Sequence, residues 1–369
     1  MRKKGKIMKA LILGDVSPTK FTDPLFDKKE TAHLFRDTVT LFEGNDLNLV
    51  NLEVALTDHD GAIEKFGPAL KASKNTADVL KELGVNLCGL SNNHIFDFGK
   101  KGALDTMAAL DAVGIPYTGF GDNYEDSRRN YVMEKNGETL CVIAVCEHEY
   151  SYALDDRMGS RPYDEYDTMK DIRDAKAKYD RVIVTYHGAK EMCRYPSPRV
   201  RKLCRAMIDN GADLVTTQHS HCIGCYESYG NGHIIYGQGN FHFVYETLKD
   251  KEEEELWNSG LALGYDSTAN TVTLTPYVVK GEGIELAKGE EKEAILSAFE
   301  KRNASLKDGT WIDGWRAFCE SVRESYVKKV STAYESEIGI KKFGHYLDCE
   351  AHTDVWRELY KTANHTNEK

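Results

Sequence analysis

Short apolar strands alternate with helical stretches along residues 1–285, and this alternation constrains the fold more than any other feature of the sequence. Lys9–Asp15 and Leu47–Leu56 are predicted to be buried strands. A helix is predicted to start near Asn75 or Thr76 and to end at Gly84. Strands that alternate with helices are typical of a layered α/β fold.

The character of the sequence changes after residue 285. Trp311, Trp315 and Phe318 recur at intervals of four and three residues, which predicts an amphipathic helix. We therefore predict an α/β domain over residues 1–285. A helical extension, residues 286–369, is predicted to pack on it.

Polar side chains follow five of the predicted strands at the point where each strand ends. Because ligands gather at the carboxyl ends of strands in α/β sheets, clusters that are distant in sequence are expected to converge there. Carboxylate, amide and imidazole groups together suit Mn, Fe or Zn better than Ca or Mg, which prefer all-oxygen ligands. The five clusters are Gly14-Asp15, Asn51–Glu53, Asn92–His94, His187 and His219–His221.

Each cluster taken alone also has an ordinary structural explanation. Asp15 is then a cap or turn residue, and Glu53 is an edge-strand carboxylate. Asn93 then holds its own turn, and His187 is a hydrogen-bonded interior histidine. The pair in His219–His221 is predicted to lie on one strand and to face the same way, because side-chain direction alternates along a strand. The order and the strand-end position of all five clusters favour a shared site.

The charge balance limits the classes of partner. With 59 acidic and 48 basic residues, the formal net charge is −11. Such a charge argues against nonspecific binding to nucleic acid or to a membrane surface. No apolar run approaches the ~20 residues that a membrane span needs, so we expect no nucleic-acid partner and no direct membrane insertion. An anionic substrate then needs a local positive centre, and a metal ion supplies one in an acidic protein.

The cysteines and the N-terminus bear on the cellular compartment. Nine cysteines, an odd number without framework spacing, are typical of reduced thiols. The first residues, MRKKGKIMKALILGD, resemble a signal peptide, but the apolar stretch is short and Lys9 interrupts it. We predict a basic lead-in followed by the first strand, and a cytoplasmic protein.

The motifs taken together resemble the calcineurin-like metallophosphoesterase superfamily. The resemblance is closer to its branch of bacterial capsule-synthesis proteins, the CapA or poly-γ-glutamate synthesis family, and it covers residues 8–245. It implies an α/β fold of the metallophosphatase-like four-layer α/β/β/α sandwich type, here with a C-terminal helical appendage. The motifs that carry it are GD at Gly14-Asp15, NLE at Asn51–Glu53, SNNHIFDFG at Ser91–Gly99, HGAKE at His187–Glu191, YPSPR at Tyr195–Arg199, GADLVTTQHSH at Gly211–His221 and IIYGQGNFHF at Ile234–Phe243.

The resemblance implies a role for each motif residue. It implies one or two divalent transition metals (Mn, Fe or Zn), with His94 as the catalytic group that faces the substrate. Where the superfamily has histidine in its first motif, this chain has Ser17, which leaves the first metal one protein ligand short. The implied metal ligands are Asp15, Glu53 and His221 for the first metal, and Glu53, Asn93, His187 and His219 for the second.

Several nearby residues are candidates for supporting roles. Asp97 either orients His94 or caps the following helix. Asn240 either reaches the site or shapes a glycine-rich turn. Glu191 and Glu227 are candidates to hold the metal histidines by hydrogen bonds.

Two further stretches have open interpretations. Arg194 and Arg199 either receive an anionic substrate or are solvated loop arginines. His345–His352, HYLDCEAH, mixes metal-competent residues, and here a structural helix or turn is favoured over a second metal site.

Two functions from different classes follow from the resemblance. The first is a metal-dependent hydrolase of phosphoester or γ-glutamyl amide bonds that acts on an anionic small molecule or polymer through metal-activated water. The second is a non-catalytic capsule-assembly factor that binds polymer or other capsule-biosynthesis proteins. Hydrolysis of model substrates by the metal-loaded protein distinguishes them.

Overall fold

The computed structural model describes residues 8–365, so the predicted basic lead-in lies mostly outside the described residues. The strands are β1 (Lys9–Val16), β2 (Leu47–Leu52), β3 (Ala55–Leu56), β4 (Lys71–Ala72), β5 (Leu87–Gly89), β6 (Tyr117–Thr118), β7 (Phe120–Gly121), β8 (Tyr131–Lys135), β9 (Glu138–Cys146), β10 (Gly159–Ser160), β11 (Arg181–His187), β12 (Leu214–Gln218), β13 (Ile223–Tyr229), β14 (Gly232–Gln238), β15 (Ser259–Asp266), β16 (Thr271–Lys280) and β17 (Gly283–Leu286).

The helices fall between the strands and, after β17, follow one another to the end of the described chain. Two short 3₁₀ segments, Arg36–Phe42 and Ala333–Glu335, accompany them. The α-helices are α1 (Asp23–Asp27), α2 (Thr31–Phe35), α3 (Thr76–Leu83), α4 (Gly99–Val113), α5 (Tyr124–Ser127), α6 (Asp167–Lys178), α7 (Pro198–Asp209), α8 (Lys251–Trp257), α9 (Gly289–Asp308), α10 (Trp311–Ser331), α11 (Glu337–Asp348) and α12 (Glu350–His365).

Two mixed sheets carry the architecture. The first has the order β17-β16-β15-β1-β2-β5-β6, and the second has the order β13-β14-β12-β11-β9-β8. The central strands β1, β2 and β5 are parallel to one another, and so are β9, β11, β12 and β14. Parallel strands end at the same edge of a sheet, so these two sets bring their carboxyl ends to one side of the molecule.

The sheets pack face to face, with helices on both outer faces. Ile12 and Leu49 of the first sheet share a buried cluster with Val142 and Ile183 of the second. Leu11 points the other way and packs with the cluster under α1 to α4. A third cluster joins the outer face of the second sheet to the helices there. The four layers confirm the predicted α/β/β/α fold class.

The C-terminal helices share that third cluster. Trp315 of α10, Tyr346 of α11 and Val355 of α12 pack in it with Leu203 and Met207 of α7. The helical extension is therefore held by the same apolar burial that holds the second sheet. No helix among residues 8–365 has both the length and the apolar character that crossing a bilayer would demand.

Local sequence signals explain several turns and helix ends. The β8–β9 hairpin turns on Asn136 and Gly137, which have φ of 58° and 79°, as a tight hairpin turn requires. Gly84 ends α3 in the left-handed conformation. The Ser197 side chain caps α7, and Pro198 occupies its first turn. The predicted strand Leu47–Leu56 differs in one respect, because it is interrupted after Leu52 and resumes as β3.

Candidate metal centre

Six predicted ligands lie together at the carboxyl edges of the two sheets. Asp15 is the next-to-last residue of β1, Glu53 follows β2 and Asn93 follows β5. His187 ends β11, whereas the last two histidines follow β12. All six are nine-tenths or more buried. They are Asp15, Glu53, Asn93, His187, His219 and His221.

Two groups of ligand atoms are close enough to hold a cation, and Glu53 belongs to both. Asp15, Glu53 and His187 offer atoms within 4.8 Å of one another, and so do Glu53, His219 and His221. The His187 Nε2 atom lies 3.3 Å from Glu53 Oε1. Asp15 stands between two imidazoles, 3.7 Å from His187 Nδ1 and 3.6 Å from His221 Nδ1. Glu53 would therefore be available to either cation if both groups held one.

The grouping of the histidines differs from the one that the resemblance implies. His187 groups with Asp15, and His219 groups with His221, whereas the resemblance divides that pair between two metals. Asn93 remains beside His187, with its Oδ1 atom 2.9 Å from His187 Nε2. Ser17 is buried, and its hydroxyl has no hydrogen-bond partner among residues 8–365.

The strand prediction for His219 and His221 is wrong. Strand β12 ends at Gln218, and the two histidines lie in the loop after it with φ of 77° and 55°. Left-handed backbone is uncommon for residues other than glycine, and it is found at sites where surrounding contacts hold it. Here the His219 amide donates to Asp15 Oδ2 at 3.1 Å. The loop conformation, and not strand alternation, turns both rings toward Glu53.

A close approach of two backbone segments brings β1 to the site. A Cβ atom on Gly14 would lie 2.0 Å from the Gly239 carbonyl oxygen, so only glycine fits there. The amide of Phe241 donates to the Asp15 carbonyl at 2.9 Å. This contact also brings Asn240 into the site, where its Oδ1 atom accepts from His221 Nδ1 at 2.8 Å. Of the two interpretations of Asn240, the structure favours the one in which it reaches the site.

The donor set fits a divalent cation. Both oxygens of Glu53 and the Nδ1 atom of His219 are buried without a hydrogen-bond partner among residues 8–365. Buried polar groups are otherwise nearly always paired, so these atoms are available as ligands. Burial raises the pKa of Asp15, and the Glu53 carboxylate raises it further. Burial acts the same way on Glu53, but His187 and His221 outweigh it and hold the pKa of Glu53 below its usual range.

His94 stands beside this cluster, held by Asp97. The His94 Nδ1 atom lies 2.6 Å from Asp97 Oδ2 and 3.2 Å from Lys65 Nζ. Since a carboxylate only accepts, the shorter contact makes Nδ1–H the donor to Asp97. Lys65 also donates to the other oxygen of Asp97, and the Leu70 amide donates to Oδ2 at 2.7 Å. Asp97 therefore orients His94, and it does not cap α4, whose N-cap is Phe98.

A cavity of about 440 Å³ opens in front of His94. Asn93 and His94 form part of its wall, and Lys65 lines it from the loop before β4. Helices α10, α11 and α12 form the opposite wall, to which α10 contributes Lys329. The cavity thus joins the strand-end cluster to the C-terminal helices.

Four predicted supporting residues lie elsewhere or contact other groups. Glu191 lines the cavity, but its carboxylate pairs with Lys190 Nζ at 3.2 Å and holds no histidine. Glu227 pairs with Arg201 Nη2 at 2.8 Å, and Tyr236 donates to it at 2.9 Å. Its strand, β13, lies at the edge of the second sheet. The prediction that Glu227 holds a metal histidine is wrong.

Neither Arg194 nor Arg199 lines the cavity in front of His94. Arg194 lies 3.4 Å from the Glu255 carboxylate and lines a different cavity. Arg199 is in α7, not in a solvated loop, and it pairs with Glu147 at 2.6 Å and with Asp354 at 2.8 Å. Arg199 therefore joins the second sheet to α12 and is not free to receive a substrate.

Glu149 is a site residue that was not predicted from the sequence. Its Oε2 atom accepts from Asn93 Nδ2 at 2.7 Å, and its Oε1 atom lies 3.8 Å from His219 Nε2. Glu149 follows β9 in the segment Cys146–Tyr150, CEHEY, so the strand-end rule would have found it. Three C-terminal residues also lie near Glu149: His345 on α11, Cys349 between the two helices, and His352 on α12.

The fold and the site define a metallophosphatase-like α/β protein with a candidate metal centre at its strand ends. The chain belongs to the family described as bacterial capsule synthesis protein PGA_cap, whose model matches residues 9–245. This match confirms the prediction, made from the motifs, that the chain is a member of the capsule-synthesis family.

Similar proteins carry capsule-related names. The chain is 28% identical over 255 residues to the capsule biosynthesis protein CapA of Bacillus anthracis, which covers 65% of this chain and 61% of that protein. It is 26% identical over 243 residues to the PGA biosynthesis protein CapA of Bacillus subtilis (strain 168). That match covers 64% of this chain and 63% of the relative. The matched part thus spans about three-fifths of each relative's length.

Solved structures with a similar chain trace include two nucleotidases. A 5'-nucleotidase precursor from Thermus thermophilus is 15% identical with a TM-score of 0.40, covering 79% of this chain and 58% of that chain. A 5'-nucleotidase from Candida albicans SC5314 is 8% identical with a TM-score of 0.41, covering 76% of this chain and 53% of that chain. The family assignment rests on the sequence match.

Proposed function

We propose that this chain is a metal-dependent hydrolase of capsule, poly-γ-glutamate or related polymer metabolism, and that it cleaves a phosphoester or γ-glutamyl amide bond. The observation that carries the proposal is the position of His94, fixed by Asp97 between the strand-end ligands and the cavity. One or two divalent transition metals (Mn, Fe or Zn) would supply an activated water and charge stabilisation there when bound.

His94 is proposed as the group that protonates the leaving oxygen or nitrogen. Its Nδ1–H is engaged by Asp97, so Nε2 is the nitrogen that serves the cavity. Asp97 fixes the tautomer and stabilises the imidazolium form. Lys65 pairs with the other oxygen of Asp97 and thereby offsets the charge of this buried carboxylate.

The cavity wall suits an anionic substrate. Lys65, Lys190 and Lys329 bring three ammonium groups to it. Lys65 and Lys190 are paired with carboxylates, whereas Lys329 donates to the Tyr346 hydroxyl and has no ion-pair partner among residues 8–365. A phosphate or a carboxylate is the natural counterpart of such a group.

The family supports a role in polymer metabolism. The relatives from the two Bacillus species are named for capsule and PGA biosynthesis. An anionic polymer or a piece of one is thus the proposed substrate, and other capsule-biosynthesis proteins are the proposed partners. The nine free, buried cysteines fit a reducing compartment, so we propose a cytoplasmic location. Residues 286–369 are proposed as an extension that walls the cavity of the 1–285 domain.

A substrate panel tests the proposal. The purified chain, loaded separately with Mn²⁺, Fe²⁺ or Zn²⁺, is assayed on an aryl phosphate, on phosphodiesters and on γ-glutamyl amides. We expect metal-dependent turnover of at least one class, lost with a chelator and restored by the metal. A protein that holds metal at the strand-end residues but hydrolyses none of the panel would contradict the proposal and support the assembly-factor alternative.

A further inference from the structure

A second group of metal-competent side chains lies where the C-terminal helices meet the end of β9. Glu149, Cys349 and His352 offer a carboxylate oxygen, a thiol sulfur and an imidazole nitrogen within 4.8 Å of one another. The Cys349 Sγ atom lies 3.2 Å from Glu149 Oε1. All three side chains are buried.

A fourth group completes this arrangement. The His345 Nε2 atom lies 3.1 Å from His352 Nε2 and 3.8 Å from Glu149 Oε1. The imidazole of His345 therefore lies beside the group formed by Glu149, Cys349 and His352. The atoms come from the strand end and from helices about 200 residues later in the chain.

The rings are held in place by their neighbours. The Tyr326 hydroxyl lies 2.6 Å from His352 Nδ1, and the ring of Tyr346 stacks on His352 with centroids 4.0 Å apart. Tyr150 stacks on His345 with centroids 5.1 Å apart. A hydrogen bond to one imidazole nitrogen directs the other toward a ligand, which is the usual support of a metal-binding histidine.

We propose that Glu149, Cys349 and His352, together with His345, bind one divalent cation of the zinc class, separate from the strand-end centre. Zinc takes four ligands from cysteine, histidine and carboxylate side chains, and this set supplies all three kinds. The cation replaces the Cys349 thiol proton, which passes to solvent, and the resulting thiolate is the ligand.

The site would position the cavity wall. Glu149 Oε2 accepts from Asn93 on the strand-end side, while Cys349 and His352 belong to the C-terminal segment. A cation held by both sides ties α11 and α12 to the end of β9. Because His345 and His352 also line the cavity in front of His94, its shape depends on that tie.

Cobalt absorption tests the proposal with the full chain. Cobalt bound to a thiolate gives an intense near-ultraviolet charge-transfer band, and no cysteine belongs to the proposed strand-end ligands. We expect the metal-free wild type to develop this band on titration with Co²⁺. Cys349→Ser should lose it and bind one equivalent less, while Cys319→Ser, an equally buried cysteine of α10, should keep it.

Further variants separate this site from the strand-end centre. His187→Ala should keep the band even if it abolishes hydrolysis, so the two proposals fail independently. If Cys349→Ser does not fold, His345→Ala and His352→Ala retain the thiol and should weaken the cobalt affinity by about tenfold or more. A folded wild type that takes up Co²⁺ without the band would overturn the proposal. A band with unchanged intensity and affinity in the three variants would do the same.

Discussion

The Nδ1 atom of His94 lies 2.6 Å from Oδ2 of Asp97, three residues along the same loop. Both oxygens of Asp97 are used, because Lys65 and the Leu70 amide donate to them as well. The geometry fixes one ring nitrogen of His94 and leaves the other for the cavity. The proposed chemistry depends on this pair more than on any other outside the metal ligands.

Removing the His94 ring should remove turnover and spare metal binding. His94→Asn is expected to lower kcat by about 10²- to 10⁴-fold, the usual contribution of a general acid. Metal content, measured by mass spectrometry of the purified variant, should equal that of the wild type. The matched control is His33→Asn, an exposed histidine paired with Glu282, which should leave both quantities unchanged. Wild-type turnover in His94→Asn would exclude His94 as the acid.

Neutralising Asp97 should affect kcat more than KM. Asp97→Asn keeps the shape but loses the charge that stabilises the imidazolium, so we expect kcat to fall about 10- to 100-fold. An unchanged kcat together with a raised KM would show that Asp97 acts only on the shape of the cavity.

The buried ion pairs of Arg199 should matter for stability. Arg199→Met leaves the buried carboxylate of Glu147 without its cation and removes the nearer of two arginines from Asp354, which should cost about 3–5 kcal/mol in the free energy of unfolding. The control is Arg357→Met, because Arg357 contacts the same Asp354 at 3.4 Å but is largely exposed. That variant should change stability by less than about 1 kcal/mol. Equal effects of the two substitutions in denaturant unfolding would refute the prediction.

The carboxylate of Glu227 should stabilise the fold only above acidic pH. Burial works to raise its pKa, but hydrogen bonds from Arg205, Arg201 and Tyr236 outweigh burial and lower it. A lowered pKa in the folded state gives stability that is present above the unfolded value of 4.5 and is lost as the pH falls through the folded value. Glu227→Gln should therefore destabilise the protein by about 1–3 kcal/mol at pH 7.

The pH dependence separates this charge effect from a packing effect. The difference between wild type and Glu227→Gln should shrink toward zero when denaturant unfolding is repeated near pH 3. A difference that is equal at both pH values would show that the lost stability comes from packing. Glu252→Gln, in the acidic first turn of α8, is the matched control and should change little at either pH.

Much of the fold follows from local patterns in the sequence. The hairpin at Asn136-Gly137 and the end of α3 at Gly84 were predictable because these positions need left-handed backbone. Local patterns did not reveal the break after Leu52 or the loop conformation of His219. Both depend on contacts with other strands, such as the hydrogen bond from the His219 amide to Asp15.

The residues of the candidate site were predictable where they lie at or directly after the end of a strand. The rule that polar clusters follow parallel strands brought Asp15, Glu53 and His187 together correctly in space. Applied to β9, the same rule would have found Glu149. Cys349 carries no such signal, because it lies after a helix and reaches Glu149 only through packing that spans 200 residues of chain. The role predicted for Glu227 was wrong because the sequence alone does not show at which edge of the sheet this carboxylate lies.

Metal content of the purified chain tests the central claim most directly: that the strand-end side chains form one cation site. Mass spectrometry should find at least about one Mn, Fe or Zn per chain attributable to this centre in the wild type and in His33→Ala. His187→Ala, which removes a ring 3.3 Å from Glu53, should lose that metal while remaining folded by circular dichroism. Equal metal content in wild type and His187→Ala would contradict the account.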